Sequence, residues 1–292
     1  MMPLQTPVRV DPMGVGLSYT DRIVVLGSCF ADGIGRRLAE SGFRVCVNPF
    51  GTLYNPASIV NAVSRLDCGI PFTKEDVVEM GAGAGLFCSF SHHTSFARET
   101  PEAFLQDANE ALEKAAAFWK EAGKVIISLG TSYVYRHGGD VVANCLKRPE
   151  AEFTRGGLGA SETAALLERM TRRHPGKQFI FTVSPVRHLR DGAHGNQLSK
   201  AALLLAVDRV CREQADRCAY FPAYEIVLDE LRDYRFYAED MLHPSEQTEN
   251  YIFDCFTSAV LSPDDLAKLA AAKREAARMR HIPGRRKPHE TQ

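Results

Sequence analysis

The chain has 292 residues, 45% of them hydrophobic and 24% charged, with a formal net charge of -1 at pH 7. These are globular proportions, which excludes a disordered or fibrous chain, and the near-zero net charge gives no global pull toward nucleic acid or an anionic membrane. No apolar run reaches the roughly 18 residues of a membrane span, and the first residues, MMPLQTPVRVDPMG, carry no apolar export signal, so the expected compartment is the cytoplasm.

In chain order, the apolar run Arg22–Leu26 predicts a buried strand and Ala31–Glu40 a helix; Arg44–Val47 is a second strand. Residues 67–100 break the pattern. They hold a glycine-rich stretch, Gly81–Gly85, and then Phe87–Phe96 with alternating character, which reads as an inserted hairpin or lid-like excursion. A helix over Pro101–Ala122, with Trp119 in the core, leads into a third strand, Lys124–Leu129. Ser161–His174 follows as a helix with Ser161 as its N-cap, then the strand Gln178–Val183, a helix over Gly195–Asp216 and the strand Cys218–Phe221. Glu225, Asp229, Glu230 and Asp233 read as one charged helix face, and Ser245–Val260 as a closing helix with Pro244 in its first turn. Residues 262–292 are helix-prone and end in the basic run GRRKPHETQ, a solvated terminus. Near-continuous apolar strands alternating with helices mean a parallel sheet covered on both faces. The expectation is therefore a doubly wound α/β domain over 1–261 with a helical, basic tail over 262–292. The eight cysteines are scattered without a C-x-x-C pair, so reduced thiols are expected and no zinc site.

The first chemical signal is IVVLGSCFADG. A strand ends at Leu26, Gly27 permits a tight turn, and Ser28 precedes a helix whose N-terminus favours a developing negative charge. A nucleophilic serine needs that setting, although serine also caps helices there without any chemistry. Cys29 is a rival nucleophile in the same turn. Gly27, Gly33 and Gly35 do not form G-x-G-x-x-G, and no Walker A pattern is present, so a nucleotide site has no support. The second signal is Asp240 and His243, three residues apart before the closing helix. A serine needs a base, usually a histidine oriented by a carboxylate; the bland reading is a pair of residues that only begin a helix.

Ser28 after the first strand together with Asp240-x-x-His243 before the last core helix resembles the SGNH/GDSL hydrolases. The string Gly27-Ser28-Cys29-Phe30-Ala31 is similar to the motif that names the GSCFA family, a branch related to them, and NPFGTLYNP, SLGTSYVY, VSPVRHLRDG, NQLSKA and ELRDYRFYAEDMLHPS resemble the same family. The resemblance runs from about residue 20 to 260. It implies a flavodoxin-like three-layer α/β/α sandwich, with Ser28 as nucleophile, His243 as base and Asp240 as its orienter, and no cofactor or metal. It also implies an oxyanion hole from the Ser28 N–H, the Gly51 N–H and an asparagine after the third strand. That asparagine is missing from its usual place, where the sequence reads Gly130-Thr131-Ser132; Asn144 and Thr131 are the candidate substitutes.

Arg187 and His188, after the fourth strand, stand where a substrate would lie, with Arg187 either gripping a carboxylate or sugar hydroxyl or bracing a neighbouring acid. His92 and His93 are further substrate-contact candidates, in a polar loop. The function expected is hydrolysis of an O-acyl ester, O-acetyl on a carbohydrate among them, through an acyl-enzyme. The alternatives are an O-acyltransferase with the same triad and a non-catalytic binding protein on this fold. A reactive serine separates the last from the first two. The partner expected is a small-molecule or carbohydrate ester, with neither nucleic acid nor membrane.

Overall fold

A computed structural model describes residues 6–280. Five parallel strands form the central sheet: β1 (Arg22–Gly27), β2 (Arg44–Val47), β3 (Lys124–Leu129), β4 (Gln178–Val183) and β5 (Cys218–Tyr220). Their spatial order is β5-β4-β3-β1-β2, the flavodoxin-like doubly wound arrangement 2-1-3-4-5. The long helices are α1 (Cys29–Glu40), α2 (Pro56–Cys68), α3 (Pro101–Glu121), α4 (Ala160–Arg173), α5 (Gly192–Glu213), α6 (Glu246–Val260) and α7 (Pro263–Arg280). None of the described helices is long and apolar enough to cross a membrane.

Period-two alternation along apolar strands sorts the core into two layers. Val24, Leu26, Val125, Ile127, Phe179 and Phe181 face the cluster beneath α2 to α5, whereas Ile23, Val25, Ile126 and Ile180 face the one beneath α1 and α6. Fully buried side chains such as Phe179 and Phe181 each contribute about 2–3 kcal/mol of transfer free energy. The charged face of α1 carries one tie between elements: buried Arg37 donates to Glu249 Oε2 at 2.8 Å and Asn250 Oδ1 at 2.9 Å. That tie fixes α6, and with it the segment just before it, beside the helix that follows β1.

Several expectations change. Ser161 is not the N-cap of α4; the helix begins at Ala160 behind Gly159. Pro244 lies before α6 rather than in its first turn, and Ser245 caps that helix by accepting from Thr248 N at 3.3 Å. Helix α2 was not expected, although Asn55 caps it, Pro56 opens it and Gly69 closes it at φ 61°. Within 67–100, Val78–Glu79 pairs antiparallel with Phe87–Cys88, and Phe72, Met80 and Cys88 belong to the main core, so this hairpin is a packed element. Glu225 and Glu230 do not form a solvated face: Glu225 accepts from Tyr220 O–H, and buried Glu230 accepts from Val8 N–H and Tyr251 O–H. An unexpected second sheet, Tyr133–His137 between Asp140–Val142 and Thr154–Gly157, stands over the carboxyl end of β3. All eight cysteines are free thiols and Trp119 is buried. The run GRRKPHETQ lies outside the described residues.

The turn after β1 is the tightest point of the sheet edge. Gly27 has φ +136°, and a Cβ there would collide with the Ser128 carbonyl oxygen. Gly27→Ala combines a left-handed strain with a backbone clash, so it is expected to destabilise the fold by about 3 kcal/mol or more, read as a lowered denaturation midpoint. A variant as stable as the wild type would mean that this turn relaxes freely.

Candidate active site

The site is assembled at the carboxyl edge of the sheet, where loops after β1, β3 and β4 meet the segment before α6. In register, Gly27 pairs with Ser128 and Ser128 with Thr182, so the ends of the three central strands lie side by side. Ser28 occupies the N-cap position of α1 but makes no side-chain capping bond. Its hydroxyl instead shares a hydrogen bond of 3.0 Å with Ser128 Oγ, and the residue is 1% exposed. The helix-capping account of Ser28 therefore fails for its side chain.

The turn holding Ser28 is braced by Asn48, whose φ is 40°. Asn48 Oδ1 accepts from Gly27 N–H at 2.8 Å while its Nδ2 donates to Asp32 Oδ1 at 2.6 Å, joining β1, β2 and α1 through one amide. Cys29, the rival nucleophile, lies 3.6 Å from the Tyr54 hydroxyl, and burial pushes its thiol pKa up, which disfavours the thiolate.

Asp240 and His243 are brought together. His243 Nδ1 and Asp240 Oδ2 are 2.6 Å apart, and Asp240 Oδ1 accepts the backbone N–H of Leu242 at 2.8 Å and of His243 at 2.9 Å. Those backbone donors, and then the imidazole, hold the Asp240 carboxyl down to about 2. The pair is half exposed, 46% for the Asp240 side chain and 43% for that of His243. Among the described residues no hydrogen bond links His243 to Ser28.

His243 lines a cavity of about 420 Å³ together with Cys29, Tyr54, Tyr133, Arg187 and His188. Among the described residues Arg187 braces no acid. It donates from its backbone to Leu242 O at 3.0 Å and from Nη1 to Met241 O at 3.3 Å, and its guanidinium lies over the rings of Tyr234 and Tyr237. It thereby holds the loop that carries His243. His188 enters the same cavity, its ring edge-on to Tyr54 at 5.9 Å.

The two other histidines do not reach the cavity lining. His92 is fully buried among Phe50, Phe72, Phe96 and Phe104, and burial pushes its pKa down to about 3, so it is a neutral core residue rather than a substrate contact. His93 caps the Thr94–Phe96 turn through Ser95 and packs against Gly51.

The oxyanion candidates also read differently. The Ser28 N–H donates to Ser128 O at 3.1 Å and the Gly51 N–H to Asn48 O at 2.8 Å, so both are already engaged. Tyr54 O takes the N–H of Gly130 at 2.8 Å and of Thr131 at 2.9 Å. The Thr131 hydroxyl accepts from Tyr133 N–H and lies 3.1 Å from Ser199 Oγ, while Asn144 receives Leu146 N–H in a local turn outside the cavity lining.

One site residue was not foreseen. Lys200, on α5, is 1% exposed and donates from Nζ to Gly130 O at 2.6 Å and Ser184 O at 2.7 Å, tying the loop after β3 to the one after β4. A lysine within the buried stripe of α5, beside Leu203 and Val207, is the sequence signal that marks it. Burial, with no carboxylate partner, lowers its pKa to about 7, outweighing the Tyr224 ring 5.7 Å away.

With these features in view, the fold is a doubly wound α/β sandwich with a serine and an Asp-His pair at its carboxyl edge. The GSCFA family model matches residues 22–256, and the chain belongs to the GSCFA family. No curated protein matches the sequence. Among solved structures it is similar to a carbohydrate esterase family 2 enzyme with a carbohydrate-binding domain from Corynascus thermopiles (Myceliophthora fergusii). That likeness has 12% identity, covers 92% of this chain and 69% of that one, and has a TM-score of 0.40.

The lowered Lys200 value has a sign that can be tested. The unfolded chain holds a proton that the folded one releases between about pH 7 and 10.5, so the cost of burying Lys200 is complete below pH 7 and relieved as pH rises. From pH 7 to 10 the wild type is expected to gain about 3–4 kcal/mol of unfolding free energy relative to Lys200→Met. Parallel stability curves for the two proteins would rule this out.

Proposed function

We propose that this protein is a serine esterase that cleaves an O-acyl ester, an O-acetyl group on a carbohydrate being the substrate class the cavity suits best. The observation that carries this reading is a buried serine that stands at a helix N-terminus without capping it, and whose chain neighbour Cys29 lines the same cavity as an Asp-oriented histidine. Tyr54, Tyr133 and Tyr135 line that cavity, with Arg155 over the rings of the last two, a mix of aromatic and hydrogen-bonding groups suited to a sugar ring, and its volume matches a small ligand. Arg187 adds a guanidinium without a carboxylate partner among the described residues.

The chemistry follows from the geometry. Asp240 fixes the His243 tautomer by accepting from Nδ1–H, which leaves Nε2 as the base. Ser28 Oγ turns from Ser128 toward the cavity, gives its proton to His243 Nε2 and bonds to the ester carbonyl carbon. The tetrahedral adduct collapses as the C–O bond to the alcohol breaks and His243 returns the proton to the leaving oxygen. Water, deprotonated by His243, then adds to the acyl carbon, the bond from that carbon to Ser28 Oγ breaks, and His243 returns the proton to Ser28 Oγ as the acid leaves. The exposure of His243 favours water over a bulkier acceptor as the second nucleophile, and so hydrolysis over acyl transfer.

A fluorophosphonate probe is expected to label the wild type, with turnover of p-nitrophenyl acetate, and Ser28→Ala is expected to abolish labelling and lower turnover by at least about 1000-fold. A folded wild type that neither labels nor turns over would sink the esterase reading in favour of a binding protein. Asp240→Asn is expected to cut kcat by two to four orders of magnitude with an almost unchanged thermal midpoint, because an exposed pair does little for stability. A large midpoint loss with kcat preserved would make Asp240 structural.

A further inference from the structure

Addition of an alkoxide to an ester turns the carbonyl oxygen into an oxyanion, and that charge needs a hydrogen-bond donor already aimed at the place where it forms. The backbone N–H groups nearest Ser28 are engaged: those of Ser28, Gly51, Gly130 and Thr131 all donate to backbone carbonyls. Two buried side-chain polar atoms at this strand edge have no hydrogen-bond partner among the described residues: Thr182 Oγ1, inside β4, and His188 Nε2, in the loop after it. The second borders a small space at Gly130, where an added Cβ would lie 3.2 Å from His188 Nε2, 3.4 Å from Ser28 Cβ and 3.1 Å from Tyr54 O. The position left by the missing Gly130 side chain is thus closely walled by Ser28, the imidazole nitrogen and the Tyr54 carbonyl oxygen.

The His188 backbone N–H donates to Asn196 Oδ1 at 2.9 Å, which fixes the main chain there, and the ring packs edge-on to Tyr54. Burial, and then the positive charges of Lys200 and His243, push its pKa down to about 4, against a smaller opposing effect of Asp191. Such a ring is a poor base, and the Asp191 carboxylate is occupied by Arg155. Base and donor are therefore divided between two histidines.

We propose that His188 is the oxyanion donor of this site: its Nε2–H hydrogen-bonds the carbonyl oxygen of the ester as Ser28 adds to the carbonyl carbon. No proton is transferred in this contact. The bond from Ser28 Oγ to carbon forms, the carbonyl π pair moves onto oxygen, the serine proton goes to His243, and His188 keeps its own proton throughout. Gly130 is then required because any side chain would fill the space that the oxyanion takes. This role rests on the esterase reading of Ser28.

The test is steady-state hydrolysis of p-nitrophenyl acetate, with fluorophosphonate labelling rates, in the wild type, His188→Ala and His188→Gln, each checked for folding by circular dichroism. His188→Ala is expected to lose 100- to 1000-fold in kcat and a similar factor in labelling rate, with KM changed less than about threefold and an unaltered acid limb of the pH profile. His188→Gln, which keeps an N–H donor, is expected to recover at least tenfold of that loss. Folded variants that match the wild type, or a loss confined to KM, overturn the assignment while leaving Ser28 as nucleophile. Equal kcat for the Ala and Gln variants overturns it as well. A wild type that never labels removes the esterase reading itself, and this role with it.

Discussion

The site depends on how closely the backbone at Gly27 approaches that at Ser128. Two parallel strands ordinarily carry side chains past one another at their carboxyl ends; here the first strand ends in a residue without one, at a positive φ that other residues rarely adopt. The missing Cβ lets the chain fold over the end of β3 and directs Ser28 onto the Ser128 hydroxyl. The neighbouring loops are registered to the same turn. Asn48 takes the Gly27 N–H, Gly27 O takes the Leu53 N–H, and Tyr54 O takes the next two amides of the loop after β3. Each contact is an ordinary hydrogen bond of modest net value, but those among Gly27, Asn48 and Leu53 join buried residues, so losing one leaves an unmet backbone group.

The electrostatics of the edge are set by desolvation more than by charge pairing. Lys200 lies among carbonyls with no acid beside it, and an uncharged amine has two N–H donors, matching the two carbonyls it meets. His188 lies in the same shell and is likewise biased toward its neutral form. Two complementary titratable pairs stand at the cavity, Arg155 with Asp191 and His243 with Asp240, and the second is half exposed. The arrangement separates a dry interior around Ser28 from a polar rim at Asp240 and His243, and under the proposed mechanism a charge developing in that interior is felt strongly by any dipole already fixed there.

Much of this was legible in the chain, and what was not has identifiable causes. The five strands were readable because parallel strands covered on both faces are apolar at nearly every position, as in RIVVL and KVIISL. Ser28, Asp240 and His243 stood out because each follows or precedes a clear element boundary. The small sheet over Tyr133–Gly157 was missed because its strands mix polar and apolar residues, with Thr154–Gly157 exposed throughout. The roles of His92 and His188 were not separable by sequence: both are histidines in loops, and only packing sends one among phenylalanines and the other beside Ser28. Helix α2 is the opposite case, since Asn55, Pro56 and Gly69 mark its ends plainly in the sequence.

Ser28 is buried and bonded to Ser128, while the His243 imidazole is half exposed and bonded to Asp240, so the two groups that the proposed mechanism couples are each satisfied apart from one another. Under that mechanism the Ser28 hydroxyl gives up its bond to Ser128, a net cost on the order of 1 kcal/mol. The turn that carries the serine is tied to its neighbours through Gly27 and Asn48, and the loops after β3 and β4 are tied to one another through Lys200, so the frame around Ser28 is pre-organised by contacts to the backbone.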